Sequence, residues 1–232
     1  MNKCDKSNIE PGYETWTIER LIGKGMQIPN VRFADEIARF TAQDLLASPP
    51  GKGVVFVGDS DIRLWNFDGV FDQYFTPRGA INRGFGGART WEVLLYFEQL
   101  ILRYQPRLIV YCCGGNDFFF LDERQGESAI TGFKLFLDTV VSTLPATTRV
   151  IYLAMHNSPH DVTIWDKMRE ANEQLQSICE NSYGRAVFFE YNNLLMDSNG
   201  APLKEMFRPD GLHFSNKFYH ILSQNLLPLI SD

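Results

Sequence analysis

The chain reads as an α/β protein built on a parallel sheet with helices on both faces. Two observations predict this. First, short, nearly continuous apolar runs recur near 53–58, 79–83, 107–113, 148–155 and 185–190, and helical patterns fill most of the gaps, near 88–104, 128–143, 161–181 and 215–229. Strands apolar on both faces and separated by helices belong to covered parallel sheets, because a sheet with one wet face alternates apolar with polar residues. Second, the chain has 232 residues, 44% hydrophobic and 22% charged, which suits one large water-soluble domain with a full core. The expectation is a central parallel sheet of about five strands in a single domain over 1–232, with 1–50 as an N-terminal arm and helix packed on it.

Taken in order, the segment 1–30 is irregular, broken by Pro11, Gly12, Gly23, Gly25 and Pro29. From Phe33 the pattern turns helical. Phe33, Ile37, Phe40 and Leu45 fall near a 3.6-residue period, and Pro49-Pro50-Gly51 ends the run. The apolar run Val54-Val55-Phe56-Val57 starts the strand series, and Leu108-Ile109-Val110-Tyr111-Cys112-Cys113 is another clear member. Cys112 and Cys113, adjacent in a strand-like run, should point to opposite faces. Neither that pair nor Cys4 and Cys179 has metal-ligand spacing or makes a disulfide framework, so all four read as free thiols.

A net charge of −6 gives no invitation to nucleic acid. No apolar run approaches the roughly 20 residues of a membrane span. The stretch Met1 to Ser7 lacks the apolar core of a signal peptide, so a cytoplasmic location is the default, with secretion after removal of a leader left open.

Parallel sheets bind ligands at the carboxyl ends of their strands. Ser60, Gly87, Asn116 and the loop containing His156 all lie just past the ends of expected strands, so their motifs converge on one edge of the sheet. Gly58-Asp59-Ser60 alone reads either as a turn whose Asp or Ser caps the next helix, or as a serine nucleophile exposed on a strand-to-helix turn. Asp210-Gly211-Leu212-His213 adds a base: His213 can take a serine proton if a carboxylate holds its other ring nitrogen, and Asp210 is near enough in sequence to do so. Gly87, within Asn82-Arg83-Gly84-Phe85-Gly86-Gly87, is either part of a glycine-rich turn or a backbone N–H donor to an oxyanion. Asn116, within Gly114-Gly115-Asn116-Asp117, is either a turn residue or a neutral side-chain donor to the same charge. Phe118-Phe119-Phe120 serves as an acyl-pocket wall or as core. His156-Asn157-Ser158-Pro159-His160 is expected as a loop at the mouth, without enough ligands for a metal. Arg83, Arg89 and Trp91 either shape the rim or simply solvate and pack it.

The ordered set Gly58-Asp59-Ser60, Gly87, Gly115-Asn116-Asp117 and Asp210-Gly211-Leu212-His213 resembles the SGNH hydrolases, also called the GDSL esterase/lipase family, over most of the chain from about Gly53 to the C-terminal helix. The run Val57 to Trp65 looks like a bacterial subset similar to platelet-activating-factor acetylhydrolase catalytic subunits. The resemblance implies a flavodoxin-like three-layer α/β/α fold. It implies Ser60 as nucleophile, His213 as base and Asp210 as its orienter. It also implies an oxyanion hole from the Ser60 and Gly87 N–H groups and the Asn116 side chain. One departure stands out: Asp61 occupies the place after the serine where the family name puts an apolar residue, and an acid there can alter pocket polarity or the base.

The function expected is a serine esterase acting on acyl esters, short-chain ones since no long amphipathic lid is evident, through an acyl-serine intermediate. No metal or organic cofactor is implied, the partner is a small-molecule ester, and oligomeric state is left open. Thioester hydrolysis, carbohydrate O-deacetylation and a non-catalytic binding module of the same fold are the alternatives.

Overall fold

The computed structural model describes residues 14–28, 30–120 and 126–230. Strands β1 (Val54–Gly58), β2 (Ala80–Gly84), β3 (Leu108–Cys112), β4 (Arg149–Leu153) and β5 (Ala186–Phe189) form one sheet in the order β2-β1-β3-β4-β5, with every neighbouring pair parallel. Their side chains alternate between two cores, as the period of two requires. Val55, Val57, Ile109, Tyr111, Val150 and Tyr152 enter one apolar cluster. Val54, Phe56, Leu108, Val110, Ile151 and Leu153 enter the other. Every residue of β1 and β3 is buried, which is why their sequences are continuous apolar runs.

Helices cover both faces. The connecting elements are α1 (Ile18–Gly23), α2 (Ala34–Leu46), α3 (Ser60–Arg63), α4 (Val70–Tyr74), α5 (Thr90–Leu95), α6 (Phe97–Leu100), α7 (Gly115–Phe120), α8 (Glu127–Thr143), α9 (Trp165–Glu180) and α10 (Asn216–Ile230). Phe133 and Phe136 of α8 and Leu175 of α9 pack in the first cluster. Ile62 of α3, Phe71 of α4 and Phe218, Leu222 and Leu226 of α10 pack in the second. The result is the expected three-layer α/β/α arrangement in the flavodoxin-like strand order. From β1 the chain steps to β2 on one side and then to β3 on the other, so a crevice opens beyond the carboxyl ends of β1 and β3. That is the topological switch point where such sheets take ligands. Among the described residues, no helix is long and apolar enough to cross a membrane.

Several local expectations are corrected. The segment 1–30 contains a helix: Thr17 caps α1, and Leu21 is fully buried. Pro11, Gly12 and Pro29 lie outside the described residues. The helix expected near 88–104 is split at Tyr96, whose hydroxyl donates to the Arg32 carbonyl, and the one expected from 161 begins as a 3-10 turn, Pro159–Ile164. Ile37 is buried and Phe33 and Phe40 pack on the core as the period expects, but Leu45 is 73% exposed, and the buried residue at that end of α2 is its neighbour Asp44. The Asp44 carboxylate pairs with Arg83, and Arg83 Nε donates to Tyr104 Oη at 2.9 Å. Arg83 is thus buried in an ion pair and forms no part of a rim, while Arg89 and Trp91 are buried too. Cys112 and Cys113 do fall in opposite clusters; they and Cys179 are free, and Cys4 lies outside the described residues.

Candidate active site

The serine turn begins where β1 meets β3. Gly58 has φ +149°, and a Cβ there would lie 1.7 Å from the Cys112 carbonyl oxygen. Only glycine lets the end of β1 pass this close to its neighbour. Asp59 then caps α3: its Oδ1 accepts the Asp61 N–H at 3.0 Å, and Ser60 is the first helical residue. The capping reading of this tripeptide holds, with Asp59 as the cap. Capping by Asp59 leaves the Ser60 hydroxyl at the head of the helix, facing the crevice.

The Asp210–His213 turn approaches from the C-terminal side. Asp210 Oδ1 accepts the backbone N–H groups of Leu212 and His213 at 2.9 and 3.0 Å. Its Oδ2 lies 2.7 Å from His213 Nδ1, and His213 Nε2 lies 3.1 Å from Ser60 Oγ. Burial works against the Asp210 charge, but the hydrogen bonds from His213 and Leu212 hold its pKa down at about 2. The Asp210 and His213 side chains are 47% and 25% exposed, so the dyad opens to solvent on one side.

Gly87 has φ +79° with no heavy atom within 4 Å of a would-be Cβ, so the backbone angle, and not crowding, calls for glycine. Its carbonyl accepts from Arg32, which also pairs with Glu92 at 2.9 Å. Among the described residues, the Ser60 and Gly87 N–H groups have no acceptor. Asn116 Nδ2 donates to the Ala88 carbonyl at 3.1 Å and reaches Asp59 Oδ2 at 3.5 Å. The next residue, Asp117, anchors α7 to α5 by accepting the Thr90 N–H at 3.1 Å and the Thr90 hydroxyl at 2.9 Å. Burial raises its carboxyl to about 7 despite those bonds. Burial, with Asp61 alongside, likewise pushes the Asp59 carboxyl well above the usual carboxylate range.

Ser60, Asn116 and His213 line one cleft, and Gly87 stands beside it, one residue before the carbonyl that holds Asn116. Phe119 lines the cleft, Phe118 is core, and the Phe120 side chain lies outside the described residues. His156 is not an exposed mouth residue. It is buried in the cleft wall, 3.0 Å from Asp61 Oδ2, whereas His160 stays more than half exposed. This Asp61–His156 contact is absent from the sequence reading; the one signal for it is the acid after the serine. Among the described residues, donor atoms of Asp59, Asp61 and Cys112 lie within 4.8 Å of one another. Burial favours the protonated forms of the Asp59 carboxyl and the Cys112 thiol, which suits a metal ion poorly.

The family model for GDSL-like lipases and acylhydrolases matches residues 61–221. The chain belongs to this family. The matched span starts immediately after Ser60 and includes Gly87, Asn116, Asp210 and His213. This family member is 27% identical over 167 residues to platelet-activating factor acetylhydrolase IB subunit alpha1 of Rattus norvegicus, covering 72% of this chain and 69% of the relative. The Homo sapiens protein of that name is 26% identical, with 72% and 70% covered. Among solved structures, the chain shares its fold with a GDSL-like lipase from Bacteroides thetaiotaomicron (TM-score 0.66, 19% identity, 86% of this chain and 98% of that one). It shares it also with an acetylxylan esterase from Geobacillus stearothermophilus (TM-score 0.60, 14% identity, 79% and 96%). Membership places the protein among hydrolases that act on esters.

Proposed function

We propose that this GDSL-family protein is a serine esterase that hydrolyses short-chain acyl esters through an acyl-serine intermediate. The observation that carries the proposal is the continuous line Asp210 Oδ2, His213, Ser60 Oγ, with contacts of 2.7 and 3.1 Å. On this reading Ser60 Oγ attacks the ester carbonyl carbon while its proton passes to His213 Nε2. Asp210 keeps the other ring proton on Nδ1 and stabilises the imidazolium that forms. The carbonyl oxygen becomes an oxyanion, with the Ser60 and Gly87 N–H groups and Asn116 Nδ2 as its donors. The 3.5 Å contact from Asn116 to Asp59 is the weaker of its two and is the one an oxyanion would replace. His213 then protonates the departing alkoxide. Water attacks the acyl-serine with His213 again taking a proton, which releases the carboxylic acid and restores the serine hydroxyl.

The short-chain part follows the sequence reading, which finds no long amphipathic lid; Cys113, Phe119, Met155 and Met168 give the cleft an apolar wall for an acyl group. The rat relative and the Geobacillus structure are named as an acetylhydrolase and an acetylxylan esterase, which makes acetyl esters the first substrates to try. A fluorophosphonate probe should label the wild-type protein at Ser60 and leave Ser60→Ala unlabelled. Lack of an adduct at Ser60 would favour a binding module over an enzyme. A p-nitrophenyl ester series should give the highest kcat/KM with acetate or propionate; a profile rising to long chains would overturn the short-chain reading.

A further inference from the structure

The mechanism above leaves His156 unused, although it is buried inside the cleft with 8% exposure. Its Nδ1 lies 3.0 Å from Asp61 Oδ2 and its Nε2 lies 3.0 Å from the Leu212 carbonyl oxygen. The ring packs on Phe214, centroids 4.4 Å apart, and on Phe207 at 6.3 Å. Both ring nitrogens therefore face acceptors. A neutral imidazole has one N–H and would turn a lone pair toward a second acceptor; the imidazolium donates to both. The residues it joins are the immediate neighbours of the proposed reacting pair. Asp61 follows Ser60, and Leu212 precedes His213.

We propose that Asp61 and His156 form a positioning clasp, in which a doubly protonated His156 ties the turn carrying Ser60 to the turn carrying Asp210 and His213 and so sets the distance between nucleophile and base. This rests on the triad reading of Ser60, His213 and Asp210. Two further contacts support it. The His160 N–H donates to the Gly211 carbonyl at 3.0 Å, so the loop that follows β4 grips the Asp210–His213 turn at two successive carbonyls. Tyr219 of α10 donates to the Asp61 carbonyl at 2.9 Å, fixing the other end of the clasp to the core.

The titratable groups around the ring come from every element packed on it. Asp59 and Asp61 lie on the serine turn, Cys112 at the end of β3, Asp161 on the 3-10 turn before α9 and His213 on the C-terminal turn, all lining the same cleft; Tyr191 and Tyr219 pack on Phe214 behind the ring, and Arg208, next to Phe207, donates to the Phe214 carbonyl. Burial works against a charged ring, but the Asp61 carboxylate and the Leu212 carbonyl together raise the His156 pKa above the ordinary histidine value. Loss of that proton removes one of the two bonds and loosens the clasp. Activity should therefore fall on the alkaline side when His156 deprotonates.

The test uses the full chain. A histidine ring 15N NMR titration should show His156 holding protons on both nitrogens to a higher pH than the reference histidine pKa of about 6.5 allows, in wild type and in Ser60→Ala alike. Asp61→Asn should lower the pH at which this proton is lost, and the alkaline limb of kcat should move down with it. At about pH 7.5 kcat should drop about 10- to 100-fold with KM within about twofold, the scale expected when reacting groups are slightly misplaced. His156→Gln, which restores one donor, should keep more activity than His156→Ala. If melts show that His156→Ala does not fold, the nearly isosteric Asp61→Asn and the NMR arm decide. A His156 that loses its second proton no later than a reference histidine overturns the clasp, as does an unmoved alkaline limb in folded Asp61→Asn. A Ser60→Ala protein with full activity overturns the triad reading, and the clasp with it; an inactive Ser60→Ala beside an unaffected Asp61→Asn overturns the clasp alone.

Discussion

Replacing Asp210 with asparagine swaps one oxygen for an NH2 and strikes the line from carboxylate to serine at its least buried member. The two oxygens of Asp210 accept three N–H groups: those of Leu212 and His213 at Oδ1, and His213 Nδ1 at Oδ2. Asparagine offers one acceptor oxygen and one NH2. If the oxygen stays with the two backbone donors, the NH2 faces Nδ1, the ring proton moves to Nε2, and His213 can no longer accept from Ser60. If the amide turns over, Nδ1–H keeps its partner, but two backbone donors face an NH2 and the turn loosens. The wrong tautomer lowers kcat by about 10⁴ in serine-triad enzymes, about 5.4 kcal/mol of transition-state stabilisation. Asp210 is 47% exposed, so water can partly replace it, and the loss expected here is about 10³- to 10⁴-fold. KM should change little, and the melting temperature should fall only modestly, because the half-exposed carboxylate packs against no core and water partly replaces the hydrogen bonds it gives up. Steady-state hydrolysis of p-nitrophenyl acetate, with melts of both proteins, measures this. A folded Asp210→Asn enzyme within about tenfold of wild-type kcat would refute the claim that Asp210 sets the tautomer of His213.

Ser60→Ala and His213→Ala should each remove nearly all turnover, and the double variant should be little worse than either because the groups act as a unit; multiplied losses would show that His213 does not serve Ser60. Asn116→Ala should lower kcat about 10²- to 10³-fold with a small KM change, and Asn116→Asp should be worse, since a carboxylate repels the oxyanion; an active Asn116→Gly would remove the side chain from the catalytic set. Asp44→Ala leaves Arg83 buried without its carboxylate, so denaturant unfolding should show a loss of about 3–5 kcal/mol, largely recovered when Asp44→Leu is joined to Arg83→Met; a loss under about 1 kcal/mol would contradict a buried pair. The raised pKa of His156 carries a linkage sign: the folded state holds the proton more tightly, so its stabilisation is complete below about pH 6.5 and fades as pH rises through the native value. Chemical melts from about pH 6 to pH 9 should therefore show wild type losing stability relative to His156→Gln, and parallel curves would contradict this.

The sequence alone determined what depends on near neighbours along the chain. The runs Val54–Val57 and Leu108–Cys112 announce strands because both of their faces are covered, and a residue buried on both sides must be apolar wherever its partners come from. The candidate residues Ser60, Gly87, Asn116, Asp210 and His213 could be picked out because each sits in a short motif whose turn chemistry is local: a glycine where strands touch, an aspartate that caps, an Asp whose oxygen accepts the N–H groups two and three residues on. Tertiary structure decided whatever depends on a partner far away in the chain. Periodicity put Ile37 correctly on the core face of α2 and Leu45 with it, yet at that end of the helix the buried position is Asp44, because the fold brings Arg83 and Tyr104 to meet it. Periodicity scores hydrophobicity and is blind to a carboxylate buried with its counter-ion. For the same reason Asp61 reads in the sequence only as an oddity beside the serine. Its meaning comes from His156, which arrives at the end of another strand, and from the Leu212 carbonyl, which arrives from the C-terminal turn; a buried charge can be tolerated only where the fold supplies such partners.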